Sequence, residues 1–76
     1  MTQVMRTIQY MEQHGSVTSK EAIEDYGCYR LASRISDIKR LGIKVYDKTE
    51  KGRNRYGEPT AWKRYSLTPF EEAQNV

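Results

Sequence analysis

The chain has 76 residues, 30% charged and 37% hydrophobic, with 13 Lys and Arg against 10 Asp and Glu and a net charge of +3. That length supports one domain with one small core, and that balance is globular rather than disordered. It also excludes a bilayer-spanning segment, because no apolar run approaches the ~20 residues required.

The opening MTQVMRTIQY lacks the basic-then-apolar layout of a secretory leader. A lone Cys28 makes no internal disulfide and no metal cluster, which fits a reducing cytosol. The expectation is a cytoplasmic protein with no membrane contact, cofactor or metal. Charge is unevenly placed: residues 29–66 carry 11 Lys and Arg against 4 acids, a balance of +7, while the remainder carries 2 against 6, or −4. Such polarity makes a directed field, and nucleic acid is the default polyanion for the basic half.

Met1, Val4, Met5, Ile8 and Met11 fall on one face of a first helix over residues 3–13. Thr2 is placed to cap its start, and Gly15, after His14, to end it in the left-handed conformation. The methionines read as soft core filling rather than as a docking stripe. Residues 16–18 form a short extended link. Thr18 and Glu21 then make a capping box for a second helix over residues 19–26, with Val17 and Ala22 as a weak staple. Ala22, Ile23 and Tyr26 are expected inward; Glu21, Glu24 and Asp25 face outward. A helix this acidic is poorly suited to lying along phosphate.

Gly27 stops the second helix, and Cys28, read as a small buried thiol, leads into a third over residues 29–41, YRLASRISDIKRL. Leu31, Ile35, Ile38 and Leu41 recur at helical spacing and form its buried stripe. At about 100° per residue, Tyr29, Ser33, Ser36 and Arg40 take the opposite face, with Asp37 beside them. Hydroxyls, an aromatic ring and a guanidinium on a helix packed from one side suit base edges and phosphates. An ordinary amphipathic helix with a solvated face is the plainer alternative. A short helix, a glycine turn and a longer helix is the helix-turn-helix arrangement. Arg30 and Arg34 flank the apolar stripe. Arg34 is expected to pair with Glu21 or Glu24 and lock the turn, while Arg30 is counted with the ligand-facing residues. Asp37 either joins that network or accepts a hydrogen bond from a cytosine amino group.

Gly42 ends the third helix. Residues 43–48 alternate as a strand with Ile43 and Val45 inward. Residues 49–59, TEKGRNRYGEP, make a glycine-punctuated, flexible hairpin tip carrying Lys51, Arg53 and Arg55. Residues 60–67, TAWKRYSL, return as a second strand, with Tyr65 and Leu67 inward and Trp62 on either face. Thr68, Pro69 and Glu71 are placed to start a short terminal helix. The chain therefore divides into a domain over residues 1–67 and a tail over residues 68–76.

Three helices followed by a two-stranded hairpin with a basic tip is an α+β, winged helix-turn-helix layout. HGSVTSKEAIEDYGCYRLASRISDIKRLGIKV resembles a family of small phage- and prophage-encoded winged helix-turn-helix proteins. Gly15, Thr18, Glu21, Ala22, Gly27, Arg30, Leu31, Ala32, Arg34, Ile35, Asp37 and Gly42 carry the resemblance, which covers roughly residues 4–67. It implies DNA binding, by analogy of fold.

Catalysis has little support. One His and one Cys assemble no nucleophilic constellation, and no phosphate-loop or dinucleotide glycine pattern occurs. His14 reads as a surface residue. Two functions stand. In the first, the protein binds double-stranded DNA as a regulator or architectural factor, through Tyr29, Arg30, Ser33, Ser36, Asp37 and Arg40 of the third helix. Lys44, Lys51, Arg53, Arg55, Lys63 and Arg64 of the hairpin join them, and the protein acts as a monomer or homodimer. In the second, it is a phage inhibitor or adaptor that binds a host protein, with Tyr46, Tyr56 and Trp62 as anchors. For the cations of the tip, the plain alternative is solubility.

Overall fold

The computed structural model describes residues 2–70. The first helix, α1 (Gln3–His14), starts where the Thr2 hydroxyl accepts from the Met5 N–H at 3.2 Å, and it ends at Gly15 with φ 88°. Thr7 and Met11 are buried, and Val4 and Ile8 pack against the core beside them. Met5 is 52% exposed, contrary to expectation. It lies about 100° round the helix from Val4, and Thr7 fills the core line instead. Met1, placed on the same face from sequence, lies outside the described residues. Thr7 can be buried because its hydroxyl is satisfied twice: it donates to the Gln3 carbonyl at 2.8 Å and accepts from the Tyr26 hydroxyl at 2.6 Å.

The link after α1 is a strand, β1 (Val17–Thr18). α2 (Ser19–Tyr26) opens on the full capping box: the Thr18 hydroxyl accepts from the Glu21 N–H at 3.2 Å, and the Glu21 carboxylate accepts from the Thr18 N–H at 3.0 Å. Ala22 is buried and Tyr26 half-buried, while Ile23 is exposed rather than inward. Gly27, at φ 68°, turns the chain as only glycine does without strain. The buried Cys28 donates its N–H to the Ala22 carbonyl at 3.2 Å and pins the turn.

α3 (Leu31–Arg40) buries Leu31, Ile35 and Ile38, as the periodicity predicts. Its bounds are narrower than expected. Tyr29 precedes the helix, and Leu41 is 65% exposed. The Leu41 N–H closes on the Asp37 and Ile38 carbonyls as the C-cap, and Gly42 at φ 90° then turns the chain away from α3.

Ile43 and Val45 reach the core from an irregular segment; the strand itself, β2 (Tyr46–Arg53), begins later and runs further than expected. It pairs with β3 (Pro59–Ser66) in an antiparallel register from Tyr46↔Ser66 to Arg53↔Pro59. β1 adds to the other edge of β3 through Val17↔Tyr65 and Thr18↔Arg64, so the sheet has three strands in the order β1-β3-β2. The expected two-stranded hairpin is thus tied to the helices by a third strand. The core gathers Met11, Val17, Ala22, Cys28, Leu31, Ile35, Ile38 and Val45, with Tyr65 and Leu67 packed on it. Residues 68–70 are not helical, and the rest of the expected terminal helix lies outside the described residues. No helix among the described residues is long and apolar enough to cross a membrane.

Candidate nucleic-acid interface

Burying Leu31, Ile35 and Ile38 leaves the other side of α3 to solvent. Ser36, Lys39 and Arg40 are exposed there, and Ser33 and Asp37 are half-buried at its edges. Asp37 sits between two arginines, 3.4 Å from Arg34 and 3.8 Å from Arg40. This corrects the expected pairing of Arg34 with α2, since Arg34 finds its acid one turn along its own helix. The Arg34 Nε is buried with no hydrogen-bond partner among the described residues. The Arg40 side chain is 82% exposed despite its pairing. At the other end, Arg30 occupies the cap position without a side-chain cap, and Tyr29 is 78% exposed before it. Tyr29, Arg30, Ser33, Ser36, Asp37 and Arg40 thus lie along α3 and its N-terminal approach.

The hairpin sorts its residues by the pleat. Asp47, Thr49, Lys51 and Arg53 lie on one face with their cross-strand partners Tyr65, Lys63, Ala61 and Pro59. Tyr46, Lys48, Glu50 and Gly52 lie on the other with Ser66, Arg64, Trp62 and Thr60. The first face gathers Lys51, Arg53 and Lys63, with Lys63 3.5 Å from Asp47. Lys44 lies before β2, its ammonium 5.7 Å from the Tyr46 ring.

The second face is held together by charge. The Arg64 Nε donates to Glu50 at 2.9 Å, and its Nη1 reaches Ser16 at 2.9 Å and Glu21 at 3.5 Å. The Trp62 indole N–H donates to Glu50 at 2.7 Å. Burial disfavours the ionised Glu50, but the hydrogen bonds from Trp62 and Arg64 and the charges of Arg64 and Lys48 outweigh it. They hold its carboxyl below the usual carboxylate range. This network joins the hairpin to α2 and positions the wing; Arg64, expected to face a ligand, is half-buried inside it. Sequence reasoning missed it. The signal was present in the alternation of Lys48, Glu50, Trp62 and Arg64, which puts four polar or aromatic side chains on one face.

The tip is knit by local hydrogen bonds. The Asn54 side-chain oxygen accepts from the N–H groups of Tyr56 at 2.9 Å and Glu58 at 3.0 Å. The Asn54 amide donates to the Glu58 carboxylate at 2.9 Å, and Arg53 donates to the Gly57 carbonyl at 2.7 Å. Gly57, at φ 81°, closes the turn. Of the three aromatics read as anchors, Tyr46 is half-buried and Trp62 is hydrogen-bonded to Glu50, while Tyr56 is 75% exposed.

Comparison with curated proteins and with solved structures finds no match. A family model described as a winged helix-turn-helix domain matches residues 2–69. The helix order, the glycine turn before α3 and the antiparallel hairpin agree with that match over nearly its whole length, and the chain belongs to the winged helix-turn-helix domain family.

Proposed function

We propose that the protein binds double-stranded DNA without catalysis, as a small regulator of the kind phages encode. α3 is the element offered to the major groove, with Ser33, Ser36 and Arg40 toward base edges. Tyr29 and Arg30 lie at its start, and Asp37 sets the direction of Arg40. Lys51, Arg53, Arg55 and Lys63 of the wing meet the sugar-phosphate backbone. The observation that carries this reading is the asymmetry of α3: one side is closed by the core, and the other presents hydroxyls and a guanidinium, while the hairpin carries exposed cations of its own. Family membership supports it.

A titration of mixed-sequence duplex at two salt concentrations tests it. Binding that weakens steeply with salt is expected, because phosphate contacts release counterions. Absence of binding at low salt would favour the second reading, a protein partner in a host complex. The exposed Leu41, which a phosphate backbone does not need, is what speaks for that reading.

A further inference from the structure

The wing tip holds an aromatic ring where folding gives it nothing to do. Tyr56 is 75% exposed, and the Arg55 guanidinium lies 5.6 Å from its ring centroid. The backbone under it is hydrogen-bonded on both sides. Asn54 acts as a hub, accepting from Tyr56 and Glu58, donating to Glu58, and exchanging main-chain bonds with Glu58 and Gly57 at 3.0 Å each. Arg53 clamps the far side through the Gly57 carbonyl. A hydrogen-bonded turn therefore carries an exposed ring beside the Arg55 guanidinium and followed by a glycine. Exposed apolar surface on a loop has no folding advantage, and an aromatic with few rotatable bonds loses little freedom when it docks.

From this geometry we infer that the wing tip is a wedge, and that Tyr56 stacks against a base at an opened or kinked step of the bound duplex while Arg55 neutralises the adjacent phosphates. The ligand is the π-face of a nucleobase made accessible from the minor groove. Apolar side chains inserted in this way unstack a step and bend the duplex, and the penalty for opening is smallest at mismatched or flexible pyrimidine–purine steps. The inference rests on the DNA-binding reading and adds a preference to it: sites containing a weakly stacked step bind better than uniformly stiff ones. A protein hot spot would also use an exposed tyrosine, but the guanidinium beside this one and the exposed Lys51 and Arg53 of the same hairpin fit a polyanion.

The test uses the whole chain and two duplexes of one sequence, one fully paired and one with a single central mismatch, the mismatched one carrying 2-aminopurine beside the opened step. Wild type should bind the mismatched duplex more tightly by about fivefold or more, the scale of one base–aromatic stack, and should change the 2-aminopurine fluorescence. Tyr56→Phe should retain both effects. Tyr56→Ala should lose both while binding the paired duplex with the same salt dependence. The tip hydrogen bonds use only the Tyr56 main chain, so Tyr56→Ala should melt with wild type. If Tyr56→Ala keeps the mismatch preference, or if wild type has none, the wedge is overturned and DNA binding through α3 stands. If wild type binds neither duplex, the wedge and the reading beneath it fall together.

Discussion

Glu50 and Arg64 are diagonal neighbours on one face of the hairpin, joined at 2.9 Å, and Arg64 continues to Glu21 of α2 at 3.5 Å. The pair ties the wing to the helix-turn-helix. Arg64→Met keeps the aliphatic stem but leaves the half-buried Glu50 with only Lys48, 3.9 Å away, as a charge partner. It should lower stability by about 1–3 kcal/mol, the scale of a lost hydrogen bond to a charged group. Amide exchange over residues 46–53 should accelerate more than over α1. Uniform acceleration would show that Arg64 does not act on the wing.

The same pair sets an acid limb. The folded state holds the Glu50 carboxyl below its ordinary range. Its contribution is therefore fully present above the unfolded value and is lost as pH falls through the folded one. Melting temperature should drop below about pH 4.5, the ordinary value for glutamate. In Glu50→Gln that part of the drop should be missing. Parallel curves for the two proteins would remove Glu50 from the account.

Gly52 lies beneath the Trp62 ring. A Cβ there would sit 2.8 Å from the ring's Cη2 and 3.1 Å from its Cζ3, so the outer edge of the indole must shift, which strains its bond to Glu50 if the whole ring moves with it. Gly52→Ala should shift Trp62 emission to the red and lower stability by about 1 kcal/mol, the scale of one hydrogen bond. Unchanged emission would mean that the ring has room to yield.

Ile35 is 3% exposed at the middle of the α3 stripe. Ile35→Ala should lower stability by about 2–5 kcal/mol through lost burial and the cavity left behind, a large share of the total in a domain this small. A melting midpoint within a few degrees of wild type would mean that α3 is packed otherwise, and its open face would move with it.

The capping residues were the most legible part of this chain. Thr2, Thr18, Glu21, Gly15 and Gly27 act locally, through bonds spanning a few residues, and stand where the sequence places them. The α3 stripe was legible for three of its four members. Leu41 departs because it stands at the C-cap, past Arg40, the last residue of α3. β1 was invisible as a strand, since two residues leave no alternation to read. Thr7 is buried for a reason that lies nineteen residues away, the Tyr26 hydroxyl. The wing's inner face was hidden because its partners are charged: hydrophobic patterning does not find Glu50 and Arg64, and Trp62 is placed by Gly52 across the strand. Of the proposed interface, the open side of α3 was legible, whereas the order of the tip depends on Asn54, which has no apolar pattern around it.

The most direct test of DNA binding is the salt dependence of the wing's contribution. Lys51 and Arg55 are exposed and take no part in the hydrogen bonds that order the tip. The Lys51→Ala, Arg55→Ala double variant should therefore fold as wild type does. Duplex affinity is measured for both proteins across a salt series, with melting curves alongside. The double variant should bind every duplex more weakly, and its slope of log K against log salt should flatten by up to about 1.8, two phosphates at roughly 0.9 each. Superimposable slopes, with both proteins folded, would contradict it.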